Sequence, residues 1–342
     1  MHMWGPKAGW AKYKLRLRRR RLLLRAFRKK HEIKSVVSRI KQIRNEDVLA
    51  FVTLRNEIDR LPEFLDHHRK LGIAHFLIVD NASTDGSVAY LRDQSDVSLW
   101  QTDHSYRLSR FGLDWLTWLM IRHGHGHWCL TLDADEIFIY PNWKTRSLAA
   151  LTDWLDRSGN RSFGALMLDL YPKGPLNDTD QRHLTSAFEH LCWYDCGNYT
   201  IEKKPAQNNL WIQGGVRARE FFSQDPLKAP TLNKTPLVKW DRRYAYLNST
   251  HEILPPTLNL TYGENGEELT SGILLHTKFL PQIVNKSKEE KKRKQHFENS
   301  DLYEEYYDSL IGNPTLWSQS SKKLTGWRAL EQQGLMSRGG WV

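Results

Sequence analysis

Four short apolar runs, Val48–Leu54, Ala74–Val79, Val97–Trp100 and Trp128–Leu132, alternate with stretches of helical character. Between the first two, Pro62 opens PEFLDHHRKLG, with Phe64, Leu65 and Leu71 apolar and Gly72 where a helix is expected to end. Residues 86–94 read as a second helix. Residues 109–123 carry apolar side chains at 111, 115, 116, 119 and 120, a helical period. Alternation of this kind predicts an α/β chain with a doubly wound, mostly parallel sheet, flanked by helices through right-handed crossovers. Ligands of such sheets bind beyond the carboxyl ends of the strands. Here those ends read Arg55-Asn56-Glu57, Asp80-Asn81 and Asp133-Ala134-Asp135-Glu136, all polar and the last acidic.

Past residue 140 the pattern loosens. Ala165–Leu170 reads as a strand, and 172–210 as an irregular insertion with scattered Pro and Asn. WIQGGVRAREFF (211–222) reads as a strand with a glycine pair. LNKTPLVKW (232–240) and SGILLHTKF (271–279) read as strand and loop, and Lys286 to about Leu310 as a charged helical stretch.

Charge is distributed unevenly. The 342 residues hold 50 Lys and Arg against 39 Asp and Glu, a net +11. Residues 1–45 alone carry 16 Lys and Arg and a single acid, Glu32, leaving 34 bases against 38 acids in the other 297 residues. The body is therefore mildly acidic, which argues against a nucleic-acid partner. Within KYKLRLRRRRLLLRAFRKKHEIKSVVSRIKQI, a helix would be cationic and roughly amphipathic. Residues 12–44 could then lie on an anionic membrane surface, each base adding about 1 kcal/mol near it. The alternative is a disordered, solvated arm. No apolar run reaches the roughly 18 residues of a membrane span, and Leu22–Leu24 is too short for a secretory leader. Three Cys exclude a disulfide framework, and Cys192 and Cys196 lack the second pair of a zinc site.

The chemistry centres on LTLDADEIFIY. In an extended segment Asp133 and Asp135 point the same way, and two adjacent carboxylates repel. A divalent cation, Mn²⁺ or Mg²⁺, would relieve this, because it takes oxygen ligands and shares them with phosphate. The alternative is two solvated turn acids with Glu136 capping a helix. In IVDNASTDGS, Asp80 could accept from a ribose or base N–H, while Ser83, Thr84 and Asp85 suit a turn and helix cap. Arg55 could meet phosphate or base, or form a buried ion pair, and Glu57 stands beside it.

LRNEIDRLPEFLDHHRKLGIAHFLIVDNASTDGS followed by GHWCLTLDADEIFIY resembles the glycosyltransferase family 2-like group, in its bacterial branch related to the GT92/DUF23 enzymes. The resemblance covers roughly residues 47–280, and GGVRAREFF, LNKTPLVKW, STHEI and LLHTKF are similar to later blocks of that group. It implies a GT-A fold, Rossmann-like, with an acceptor-side insertion and a C-terminal helical segment. It also implies a nucleotide-sugar donor such as a UDP-sugar, and a metal at the D-x-D formed by Asp133 and Asp135. Asp80 matches the family's acidic residue beside the nucleotide. Many relatives carry two adjacent acids where this chain has Asp80-Asn81, and the downstream Glu-Asp pair of processive members is not visible.

On this reading residues 1–45 are a tail, 46–141 the donor half and 142–285 the acceptor half of one domain, and 286–342 a helical extension. Donor-binding candidates are Arg55, Glu57, Asp80, Asp133 and Arg217, and metal candidates Asp133, Asp135 and His276. Arg217 and Arg219 would alternate on a strand. Glu220 and Asp241 are candidates for the base that takes the acceptor proton, with Asp169 an outsider. His251 reads as a ligand or a core histidine, and His123, His125 and His127 as a polar loop. Of Trp193, Tyr194, Trp211, Trp240, Tyr244 and Tyr246, most are expected in the core. The expected activity is transfer of a sugar to a glycan or lipid-linked acceptor in bacterial surface polysaccharide synthesis, on the cytoplasmic face of the inner membrane. A carbohydrate- or membrane-binding protein that kept the fold without catalysis would not need Asp133 and Asp135. A nucleotidyltransferase would need a Gly-rich basic loop after the first strand, which TLRNEIDR lacks.

Overall fold

A computed structural model describes residues 6–177, 190–261, 269–293 and 304–341. The described residues begin with α1 (Pro6–Lys29) and β1 (Lys34–Val37). The alternating region follows as β2 (Val48–Leu54), α2 (Leu61–Leu71), β3 (Ile73–Asp80), α3 (Ser87–Arg92), β4 (Val97–Gln101), α4 (Leu113–Leu119) and β5 (Trp128–Asp133). Next come β6 (Glu136–Ile139), α5 (Leu148–Arg157), β7 (Ser162–Asp169), α6 (Gly215–Phe221), β8 (Asn233–Lys239) and β9 (Ser271–His276). The helices α7 (Ile283–Arg293), α8 (Glu304–Ile311) and α9 (Trp327–Gln332) end the described chain. Part of the expected insertion, 178–189, and part of the expected C-terminal helical stretch, 294–303, lie outside the described residues.

The main sheet has nine strands in the order β1-β4-β3-β2-β5-β8-β7-β9-β6. β2, β3, β4 and β5 are mutually parallel, and β7 and β9 run with them, while β1, β8 and β6 oppose their neighbours. This is the mixed, mostly parallel α/β sheet of a Rossmann-like GT-A arrangement. Both faces are covered, which explains the uninterrupted apolar runs. In β2, Val48, Ala50, Val52 and Leu54 pack on the face covered by Leu61, Phe64 and Leu65 of α2. The alternate residues Leu49 and Phe51 pack on the face covered by Trp115, Leu116 and Leu119 of α4.

Local signals hold where they were strongest. Gly72 closes α2 at φ 111, its N–H reaching the carbonyls of His68 and Arg69. The segment 211–222 departs from expectation. Its strand, Asn209–Gln213, stops at Gly214, and α6 follows from Gly215. Gly214 has φ 147, and a Cβ there would meet the Asn198 carbonyl oxygen at 2.2 Å. The glycine pair thus turns strand into helix, and Arg217 and Arg219 lie on helix rather than strand.

The two ends of the chain are tied to the body. β1, read in the sequence as part of the tail, is an edge strand on β4. Leu22 of α1 joins a buried cluster with Ala245, Leu247 and Leu254, and Arg25 Nε donates to Asp114 Oδ2 at 2.6 Å. At the other end, Tyr306 packs against Phe221 and Phe222, and the buried Trp341 donates to the Pro141 carbonyl at 2.9 Å.

Candidate active site

Parallel pairing brings the polar strand ends to one edge. Leu54 is opposite Asp80, Thr53 opposite Asp133, and Asp80 opposite Gln101. Beyond this edge lies a cavity of about 560 Å³, lined by Arg55, Glu57, Asn81, Asp133, Asp135, Arg217, Lys234, His251, His276 and Lys278, with Trp211 on its wall. Lys286 and Glu289 of α7 and Tyr307 of α8 also line it, so the C-terminal helices help to form the cavity.

Asp133 and Asp135 are not a bare carboxylate pair on one extended strand. The chain turns at Ala134-Asp135, and each acid has its own cationic partner. Asp133 Oδ2 accepts from Lys234 Nζ at 2.9 Å, and Lys234 also contacts the fully buried Glu136. Burial works to strip the proton from Lys234, but Asp133 and Glu136 outweigh it and hold the ammonium above the ordinary lysine value. Burial raises Glu136 against the pull of Lys234. Glu136 caps no helix; it starts β6, and its Oε2 accepts from the Asp133 N–H at 3.1 Å.

Asp135 faces His276. Its Oδ2 lies 3.1 Å from His276 Nε2, and His276 Nδ1 lies 2.6 Å from Asp169 Oδ1. Register makes this chain, since β9 sets His276 beside Asp169 of β7 on one side and Glu136 of β6 on the other. Burial would raise the Asp135 carboxyl, but His276 outweighs it and holds it well below the carboxylate range. Arg217 Nε donates to Asp169 Oδ2 at 2.7 Å. Despite burial, Arg217 and His276 hold Asp169 down at about 2; both its oxygens are engaged, and it does not line the cavity.

Asp80 is fully buried, with Oδ1 accepting from the Ser83 N–H at 3.0 Å. Its Oδ2 has no hydrogen-bond partner among the described residues, an acceptor beside the cavity residue Asn81 with its capacity unused. Ser83 Oγ accepts from the Asn56 N–H, and Asp85 accepts from the N–H groups of Ile58 and Ser87; these bonds tie the turn to the loop after β2, while Gly86, with no side-chain bond, stands at the N-cap of α3. Arg55 Nη1 donates to the carbonyls of Asn81 and Ala82, and its Nη2 lies 3.6 Å from Glu289. Glu57 accepts from Arg60 and from Lys286, the latter at 2.7 Å. Arg60 Nη2 donates to the Thr277 carbonyl at 3.0 Å, which pins the segment after β9.

The base candidates lie elsewhere. Glu220 pairs with Arg219, and Asp241 pairs with Arg243 at 2.8 Å; neither lines the cavity. Arg219 also holds Asp195 at 2.8 Å. Trp240, Tyr194 and Tyr246 are core, whereas Trp211 reaches the cavity. His251 lines it too. Its Nδ1 donates to the Asn233 carbonyl at 2.7 Å, which leaves Nε2 as an acceptor. Burial, reinforced by Lys234, holds this ring neutral, down at about 3.

Sequence reading missed Lys234 and Lys278. Both sit in blocks noted for their resemblance, NKTP and LLHTK, yet a lysine in a strand carries no signal of its partner. Burial brings Lys278 down to about 8, and Arg217 adds to the shift.

No group of three or more His, Cys, Asp and Glu is arranged to hold a metal among the described residues. Asp135 and His276 nevertheless fit the cation the D-x-D implies. One carboxylate and one imidazole meet at the cavity, with the ring's other nitrogen anchored on a carboxylate, the outer partner that ligating histidines usually have. A cation bound through few protein ligands and substrate phosphates is the common Mg²⁺ arrangement.

No family model matches the chain, and no curated protein matches it in sequence. Among solved structures it is similar to S. aureus TarS at 16% identity, over 41% of this chain and 23% of that one, with a TM-score of 0.25. The chain thus spans under a quarter of TarS. It is also similar to a Bacillus anthracis protein assigned as a glucose-1-phosphate thymidylyltransferase, in complex with a sucrose. That likeness has 8% identity over 84% of this chain and 93% of that one, with a TM-score of 0.28. Neither likeness is close enough to carry chemistry across.

Proposed function

We propose that the protein is a glycosyltransferase that moves a sugar from a nucleotide-sugar donor to a hydroxyl of a glycan or lipid-linked acceptor. The observation that carries this reading is the Asp135–His276–Asp169 chain at the carboxyl edge of the parallel strands, in a cavity that also holds Arg217, Lys234 and Lys278. Cations of this density suit a diphosphate. Asp80 Oδ2 is buried and outside the cavity lining, so it would meet a ribose hydroxyl or base N–H only where nucleotide binding uncovers it. Asp135 and His276 would hold Mn²⁺ or Mg²⁺, whose charge would offset that of the departing diphosphate. Asp169 and Arg217 orient His276, Lys234 holds Asp133 in place, and Lys278 is placed to meet phosphate oxygens. The cavity wall around Trp211 and His251 offers an aromatic face and a hydrogen-bond acceptor to a sugar ring. Bacterial surface polysaccharide is the acceptor class in keeping with the sequence resemblance.

The loop after β2 contains no glycine, which disfavours the phosphate cradle of a nucleotidyltransferase. A panel of sugar nucleotides with Mn²⁺ tests the reading. Transfer releases a nucleoside diphosphate, nucleotidyl transfer exchanges pyrophosphate, and a non-catalytic sugar binder does neither. Absence of diphosphate release across donors and acceptors would sink it.

A further inference from the structure

The helix α1 has two apolar faces. Leu15, Leu22 and Ala26 lie on one, buried or half-buried against the strand Ala245–Asn248 and α4. At about 100° per residue, Trp10, Tyr13, Leu17, Leu24 and Phe27 fall on the opposite side. There Trp10 is 58% exposed, Tyr13 49%, Leu24 49% and Phe27 50%. Leu108, 67% exposed, is held next to the C-terminal half of α1, where Arg25 donates to its carbonyl. These five are the majority of the nine large hydrophobic side chains exposed among the described residues. The same 24-residue helix contains 11 Lys and Arg and no acid.

We propose that this outward face, with Leu108, is a docking surface for an anionic lipid bilayer. A helix with one apolar face spent on the protein and another on water needs a second apolar partner, and the arginines around it require that partner to be negative. A second copy of the face would set eleven cations against eleven. A nucleic-acid backbone would match the charge but would leave Leu24, Phe27 and Leu108 in water, and the acidic body would repel it. Headgroups with acyl chains beneath satisfy both requirements. No helix among the described residues is long and apolar enough to cross a membrane, so contact is with the interface. The segment that exposes Leu108 also supplies Tyr106 and Phe111 to the cavity wall, so docking sets the cavity beside the lipid surface.

The test is sedimentation of the full chain with vesicles of phosphatidylcholine containing about a third phosphatidylglycerol, near physiological salt. The chain should bind these and largely ignore pure phosphatidylcholine. The triple variant Trp10→Ser, Leu24→Ser, Leu108→Ser removes exposed side chains outside the candidate active site. It should keep the thermal midpoint and partition at least tenfold less. If the helix substitutions shift the midpoint, Leu108→Ser alone should still weaken binding. Failure to bind the anionic vesicles, undiminished binding by a folded variant, or tighter binding to duplex RNA at the same salt overturns the proposal.

Discussion

Asp135 and Asp169 grip the two ring nitrogens of His276, at 3.1 and 2.6 Å. Burial alone would deprotonate the ring, yet the two carboxylates outweigh it and raise His276 above its ordinary value. Asp169 lies behind the ring, secured by Arg217. The imidazole is thereby fixed in orientation before any ligand arrives, a condition for positioning catalysis.

Asp135→Ala is therefore expected to lower kcat/KM by at least about a thousandfold, roughly 4 kcal/mol of transition-state stabilisation. The variant should keep a native circular dichroism spectrum. Asp169→Asn, which weakens both the ring's anchor and the buried pair with Arg217, should weaken Mn²⁺-dependent binding of a sugar nucleotide by about 10- to 100-fold in calorimetry. Full activity in Asp135→Ala would exclude the assigned role.

Asp80→Asn replaces one oxygen by a donor in a fully buried site. The unused acceptor is lost while the shape is kept, so nucleoside diphosphate affinity should fall about tenfold, near 1.4 kcal/mol. Unchanged affinity in titration calorimetry would mean that Oδ2 does not meet the nucleotide.

Lys234, at 3% side-chain exposure, bridges Asp133 and Glu136. Lys234→Met strands the buried Glu136 and should destabilise the fold by about 3 kcal/mol in urea unfolding. Adding Glu136→Gln removes the stranded charge and should restore most of that loss. If the double variant is no more stable than the single, the ion pair is not what organises this corner.

Acid should weaken the fold at His68. The ring is buried between the Phe64 carbonyl, 2.8 Å from Nδ1, and the Phe138 N–H, which donates to Nε2 at 3.3 Å. Nδ1 must carry the proton and Nε2 the lone pair, and burial holds the ring well below its ordinary pKa. Below about pH 6.5 the unfolded chain therefore takes up a proton that the folded ring refuses. Stability should decline as pH falls, by up to about 1.4 kcal/mol per pH unit from this ring, and His251 acts in the same direction. His276 and Glu136, both raised, act the other way, so the check is the difference from His68→Gln: a wild-type urea midpoint that falls no more than the variant's between about pH 7 and pH 5.5 would contradict this assignment.

The sequence alone determined the donor-side sheet. Strands buried on both faces are largely apolar, so Val48–Leu54, Ala74–Val79, Val97–Trp100 and Trp128–Leu132 appear as runs, and the polar residue after each run marks the edge where a ligand can sit. Asp80, Asp133 and Asp135 were legible for that reason. Only the tertiary structure decided which cation meets which acid. Lys234 reaches Asp133 across 101 residues and His276 reaches Asp169 across 107, through the placement of β8 between β5 and β7 and of β9 beside β7. Glu220 and Asp241, the base candidates of the sequence, lie outside the cavity lining, Glu220 on the helix after the Gly214-Gly215 turn beside Arg219 and Asp241 paired with Arg243. Strand pairing and charge pairing between distant segments depend on register, and a one-dimensional pattern contains no record of register.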